Sequence, residues 1–296
     1  MSIGSVPVES AGAIDVGQAA PDLRREFLSN LLRQPAFIIG AVIILFWIVC
    51  AIFGQIFAGN PYSQNLLSIN KAPSSAHWFG TDQLGRDMLA RVLVGSRDIL
   101  IIAPVATALG TILGTALGLV MGYFRGLVDD GLGRVVEAFL ALPLVVTGIL
   151  GVVALGASNV TLIVVIGIVF TPLIARTVRA AVLLERELDY VAAARLRGET
   201  PVYIMFVEIL PNVLAPIMVE FTVRVGYAVF TLVTLSFLGF GLQPPTPNWG
   251  ADISSNYQLI TVGYWWESLF DALAIASLVV AINMLATSIE SALDES

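Results

Sequence analysis

The chain alternates between long apolar runs and shorter stretches that gather charges, prolines and glycines. A helix that crosses a bilayer needs about 20 consecutive, mostly apolar residues. Six runs reach that length, over 35–57, 98–123, 134–155, 160–178, 210–240 and 269–289. The pattern predicts an all-α polytopic membrane protein with six transmembrane helices. The fifth run is too long to stand upright, so it tilts or its first turns lie in the cytoplasm.

Between the fourth and fifth runs the pattern turns charged but stays helix-forming, in DYVAAARLRGETPVYIMFVEILPN. Residues 184–196 form the first predicted helix, with Ala192, Ala193 and Ala194 giving it a low surface suited to a groove on another protein. Gly198 stands where a helix ends, because glycine accepts the left-handed conformation just past a C-terminus. Thr200 and Pro201 then read as an N-cap and a proline at the first helical position. Pro211 is placed to kink this second helix where it enters the fifth run. The prediction is a helical elbow, and an ordinary connector would need neither two helices nor a capped turn.

Composition agrees with lipid as the solvent. Only 12% of residues are charged and the mean hydropathy is +0.88, whereas a soluble domain is about a quarter charged. Lysine and arginine favour the cytoplasmic side of spans. Arg24, Arg25, Arg33, Arg125, Arg134, Arg176, Arg179, Arg186, Arg195 and Arg197 fall on one side, against Lys71, Arg86, Arg91 and Arg97 on the other. Both termini and the elbow are therefore expected in the cytoplasm. The predicted organisation is a tail over 1–34, a six-helix membrane domain over 35–290 and a C-terminus over 291–296. Within the domain lie outer loops at 59–97 and 241–266 and the elbow region at 184–201. The tail is mildly acidic, lacks the pattern of a secretory signal, and ends in a short amphipathic piece over 23–32. The outer loops, with HWFGTDQLGRDMLARVLVGSRD and GLQPPTPNWGADISSN, read either as simple loop packing or as contact with an outside partner.

The candidate chemistry is sparse. A formal net charge of -7 and the lack of any basic stripe argue against nucleic acid as a partner. With one cysteine, Cys50, and one histidine, His77, neither a disulfide framework nor a metal site is expected. Phosphate-loop, dinucleotide, HExxH, CxxC and GxSxG motifs are missing from the sequence, so no catalytic residues and no enzyme activity are expected. Gly110, Gly114, Gly118 and Gly122 repeat every four residues on one helix face, the pattern of close helix packing against this chain or a second one. Glu220 and Arg224, one turn apart in the fifth run, either line a solute pathway or form an internal ion pair. Glu137 and Asp271, near the ends of their runs, are expected at the interface.

The spacing from Ala192-Ala193-Ala194 to Gly198 and on to Leu210-Pro211 resembles the EAA motif of permease subunits in bacterial ABC importers. The motif has a glutamate where Ala192 stands and an isoleucine where Glu208 stands. The run from Asp189 through Tyr190 to Arg195 is similar to the peptide-transporter branch. FGTDQLGRD and LSFLGFGLQPPTPNWG resemble signatures of the C-type permease subunit of dipeptide and oligopeptide importers. The resemblance implies a type I importer fold in the bacterial cell membrane and a second homologous, B-type permease. It implies two ATPase subunits, which bind ATP and magnesium and dock on Tyr190, Ala192, Ala193, Ala194, Arg195 and Gly198, with Pro211 as the joint to the span. It also implies an extracytoplasmic substrate-binding protein that delivers a peptide; glutathione, nickel chelates and heme are alternative cargoes in this branch. A secondary transporter acting alone would call for an internal repeat or a relay of membrane carboxylates, and neither is visible.

Overall fold

The computed structural model describes residues 30–294, and among these it is helical with a single isolated bridge between Thr81 and Asp87. The helices are α1 (Pro35–Ala58), α2 (Met88–Phe124), α3 (Gly126–Leu140), α4 (Leu144–Leu155) and α5 (Asn159–Glu185). They continue with α6 (Asp189–Leu196), α7 (Pro201–Asn212), α8 (Leu214–Phe237), α9 (Trp249–Asn256) and α10 (Trp266–Asp294). Most of the predicted N-terminal tail, with residues 23–29 of its amphipathic piece, lies outside the described residues, as do residues 295 and 296. Residues 30–33 are helical, and the predicted C-terminal segment through Asp294 simply completes α10.

Helices α1, α2, α5, α8 and α10 are each long and apolar enough to cross a membrane. Their starts are set by local chemistry. Pro35 opens α1; the side chains of Asp87 and Ser158 accept the Ala90 and Thr161 amides that α2 and α5 leave free. The Asp87 cap starts α2 well before the apolar run at 98, because its first turns carry Arg91, Ser96 and Arg97 and so escape a hydrophobicity count.

The third predicted span needs correction. Instead of one helix over 134–155, α3 and α4 meet at an angle of 88° around Ala141–Pro143. Pro143 caps α4, and the residue before a proline is pushed away from helical backbone. At about 1.5 Å per residue, α4 alone covers roughly 18 Å of the roughly 30 Å of hydrocarbon. The bent pair thus makes the sixth span only if both arms count.

The core centres on α2 and α5, which pack along most of their lengths. Gly110, Gly114, Gly118 and Gly122 all face α5. A β-carbon at Gly114 would lie 2.9 Å from the Thr171 carbonyl oxygen, and one at Gly118 2.8 Å from that of Ala175. At Gly110 it would lie 2.8 Å from the Gly167 oxygen, and at Gly122 2.7 Å from Val182 Cβ. Backbone cannot yield as a side-chain tip can. Gly118→Ala is therefore expected to cost about 1–3 kcal/mol through overpacking, while Gly131→Ala, with open space around it, changes little; thermal melting of the two purified variants reads the difference.

The two predicted outer loops fold onto each other as a cap. Asp82 accepts from the Leu84 and Arg86 amides and from Arg86 Nε, closing the turn within FGTDQLGRD. Gln83 donates to Asn256, Trp249 Nε1 to the Val92 carbonyl, and Trp266 Nε1 to the Thr81 carbonyl. Phe79 stacks on Phe270 with centroids 3.9 Å apart. Arg91 grips Asp252 through Nε and Nη2, with both side chains buried. Asp271 is a second correction: it is fully buried beneath this cap, not interfacial, and within electrostatic reach of Asp252 and Arg91. A count of its distance from the end of an apolar run cannot see that the cap closes over it. Glu137, by contrast, is exposed.

Candidate functional site: the helical elbow

The elbow begins where α5 ends. Leu188, in extended conformation, separates α5 from α6, so the continuous helix predicted from 184 is interrupted over 186–188. Asp189 lies in the first turn of α6 and Arg195 in its last, each complementing the helix dipole. At Gly198 φ is +79°. The Gly198 amide donates to the Arg195 carbonyl and the Glu199 amide to that of Ala194, a Schellman closure. Thr200 Oγ1 then accepts from the Tyr203 amide to start α7. Residues Ile204–Ile209 adopt a wider π turn before Pro211, and the helix breaks at Val213, where α8 begins.

The alanines divide between two faces. Val191 and Ala194, three residues apart, are buried, so Ala194 belongs to the core and not to the outward surface expected of all three. Ala192 and Ala193 remain exposed, and Leu196, one turn on, is 91% exposed. Leu196 is the residue that motif spacing missed; an apolar side chain three and four positions after two alanines in a charged stretch was its signal.

Five contacts tie the elbow to its surroundings. Tyr190 donates its hydroxyl proton to Glu185 of α5 at 2.8 Å and accepts from Asn212 of α7 at 3.2 Å. Burial, and then the Glu185 carboxylate, push the Tyr190 hydroxyl up to about 12, so it stays a donor through the whole physiological range. Arg197 pairs with Glu208 at 2.7 Å, bracing α6 against α7. Arg186 donates to the Tyr123 carbonyl at the end of α2, and Arg195 lies 5.5 Å from the Tyr123 ring centroid. The elbow is thus held to α2, α5 and α7 together. Tyr190→Phe is expected to lower stability by about 1–3 kcal/mol, since it strands a charge-assisted acceptor, with a loss that is the same at pH 6 and pH 9; denaturation at both values checks it.

Other candidates lie apart from the elbow. Glu220 and Arg224 pair at 2.6 Å on α8, and Arg224 sits 5.4 Å from the Tyr227 ring centroid. The glycine ridge lies inside the α2–α5 seam. Among the described residues no His, Cys, Asp and Glu group could hold a metal ion. The arrangement leaves Ala192, Ala193 and Leu196 exposed on a short helix whose surroundings join α2, α5 and α7.

Comparison with known proteins follows the same lines. The family described as binding-protein-dependent transport system inner membrane component matches residues 114–296. The N-terminal TM domain of oligopeptide transport permease C matches residues 23–73. A glutathione transport system permease protein, GsiD, from Pectobacterium atrosepticum is 35% identical over 274 residues, covering 91% of this chain and 90% of the relative. A dipeptide transport system permease protein, DppC, from Alkalihalophilus pseudofirmus is 36% identical over 271 residues, covering 91% and 89%. A solved structure of the MetNI methionine ABC transporter in inward-facing conformation aligns with a TM-score of 0.57 at 21% identity, covering 70% of this chain and 97% of that one. That last likeness bears on the fold alone.

Proposed function

The chain belongs to the family of binding-protein-dependent transport system inner membrane components, and from that premise we propose that it forms half of a pathway importing short peptides at the expense of ATP. A second homologous permease supplies the other half. Two ATPase subunits, which bind the ATP and magnesium, dock on the elbow. A substrate-binding protein outside the membrane delivers the peptide to the opposite face. In this reading the elbow and both termini are cytoplasmic.

The observation that carries the reading is the elbow's division of labour. Its outer face, Ala192, Ala193 and Leu196, has no partner within the described chain, while Val191 and Ala194 are buried and Tyr190, Arg195 and Arg197 contact α5, the Tyr123 ring of α2, and α7. Closure of the ATPases moves α6, and the fixed turn at Gly198 passes that motion through α7 to α8. Alternating access then follows by rigid-body movement of packed helices.

Proteoliposomes holding the assembled complex and its binding protein test the cargo. ATP-dependent uptake of labelled dipeptide, suppressed by excess unlabelled di- and tripeptides, is the expected result. Uptake suppressed by glutathione but not by ordinary peptides would favour the cargo named for the Pectobacterium relative. Uptake of any solute without ATP would contradict the proposal altogether.

A further inference from the structure

One groove outside the elbow has the shape of an amphiphile. It runs between α2 and α5 on one wall and α3 on the other, and it has two unlike ends that meet at Val136. The end farther from the elbow is apolar, about 170 Å³, lined among others by Leu113, Leu117, Phe139 and Ile168. The end nearer the elbow is a charged cavity of about 670 Å³. From Ile168 to Arg176 on α5, and from Leu113 to Met121 on α2, the separation is about 12 Å at the helical rise per residue.

The charges at the polar end are not all spent within the protein. Asp129 and Arg179 neutralise each other through two hydrogen bonds of 2.6 Å. Arg134 and Arg176 make no ion pair or hydrogen bond among the described residues, and neither do Asp130 and Glu137. Two free guanidiniums and two free carboxylates thus stand at one end, and exposed Leu113, Val135, Phe139 and Ile168 at the other. A soluble ion would leave the apolar end uncovered. A purely apolar protein surface would leave the four charges without partners, at a desolvation cost.

We propose that this groove binds a membrane phospholipid with an amine-bearing headgroup, of the phosphatidylethanolamine class. The phosphate lies with Arg134 and Arg176, the ammonium with Asp130 or Glu137, and one acyl chain in the apolar end. Basic pockets between helices at the headgroup level are recognised lipid sites, and the paired carboxylates select the zwitterionic head. The lipid belongs to the leaflet on the elbow's side, between α3 and the α2–α5 seam.

Photolabelling of the assembled transporter in nanodiscs tests this, using phosphatidylethanolamine with a diazirine in one acyl chain. Adducts are expected on peptides containing Leu113–Leu117 and Val135–Phe139. Combined Arg134→Gln and Arg176→Gln should reduce them about tenfold or more, through loss of charge-assisted contacts. Phosphatidylglycerol should compete more weakly than phosphatidylethanolamine, and glycerophosphoethanolamine or inorganic phosphate hardly at all. The wild-type map decides the site even where the double variant fails to assemble. Equal competition by the tail-less headgroup or by phosphate would overturn the lipid; equal competition by phosphatidylglycerol would overturn the amine selectivity. Absence of adducts in this groove, with Phe139→Cys cross-linking to the second permease instead, would overturn the site itself.

Discussion

Truncating Arg91 to alanine is expected to cost about 3–5 kcal/mol of stability, because it leaves Asp252 as a buried charge without its partner. Both side chains lie under the cap made by the two loops, Arg91 2% and Asp252 5% exposed. Burial pushes the Asp252 carboxyl above the ordinary aspartate value, and Arg91 opposes that shift through its charge and two hydrogen bonds. Without Arg91 the upward pull of burial, with the Asp82 charge behind it, is opposed only by the charge of Arg86. The folded variant then holds a proton that the unfolded chain releases. Its deficit relative to wild type should be greatest at pH 8 and shrink as the pH falls through the raised value. Replacing both partners, Arg91→Met with Asp252→Leu, should recover most of the loss, since a well-packed apolar pair removes the desolvation problem. Denaturation of the three proteins at pH 5 and pH 8 measures this; a single variant that is insensitive to pH would mean that the carboxylate finds another partner.

Leu196→Asp is expected to leave the fold unchanged and to lower ATP-driven transport by about tenfold to a hundredfold. The side chain is 91% exposed, so its loss falls in the near-neutral range of surface substitutions, within about 0.5 kcal/mol. Seated in a partner's groove, the same leucine contributes about 1.5–3 kcal/mol, and a tenfold change in affinity corresponds to about 1.4 kcal/mol. Placing a carboxylate there adds a desolvation cost. Gly198 probes the same lever in another way. With φ at +79° and open space around it, the position resists only side chains that avoid the left-handed region. Valine is expected to distort the turn at about 1–2 kcal/mol, while asparagine, which accepts that region, keeps transport near wild type. Peptide uptake and ATP hydrolysis, measured beside thermal melting, separate a coupling defect from a folding defect.

The sequence made the spans legible because lipid imposes a length on them. The ends of α1 and α10 fall within a few residues of the apolar runs. The elbow was legible through its punctuation: Gly198, Thr200 and Pro201 each have one local job, and the backbone does it. What hydrophobicity alone could not resolve was the bend at Ala141–Pro143, since the apolar run continues unbroken through the turn; Pro143 was its local signal, and the angle is set by the packing of α3 against α2 and α5. The burial of Ala194 and Asp271 was hidden for a related reason. Each depends on a neighbour distant in sequence, the core beneath α6 in one case and the cap formed by α9 and the FGTDQLGRD turn in the other. The glycine ridge announced close packing, but whether its partner was in this chain or another required the α2–α5 seam.

The central claim is that the exposed face of α6 is where the ATPases push. Cys50 is the sole cysteine, so Cys50→Ala provides a cysteine-free background in which Ala193→Cys is the only reactive site. The assembled complex, purified in mild detergent, would be treated with a short maleimide–diazirine cross-linker and irradiated, with and without ATP. The account predicts a cross-link from position 193 to a co-purified ATPase subunit, and slower reaction of that cysteine with a bulky soluble maleimide in the complex than in the chain alone. A cysteine that reacts freely in a fully assembled, ATP-hydrolysing transporter, with no ATPase adduct, would contradict it.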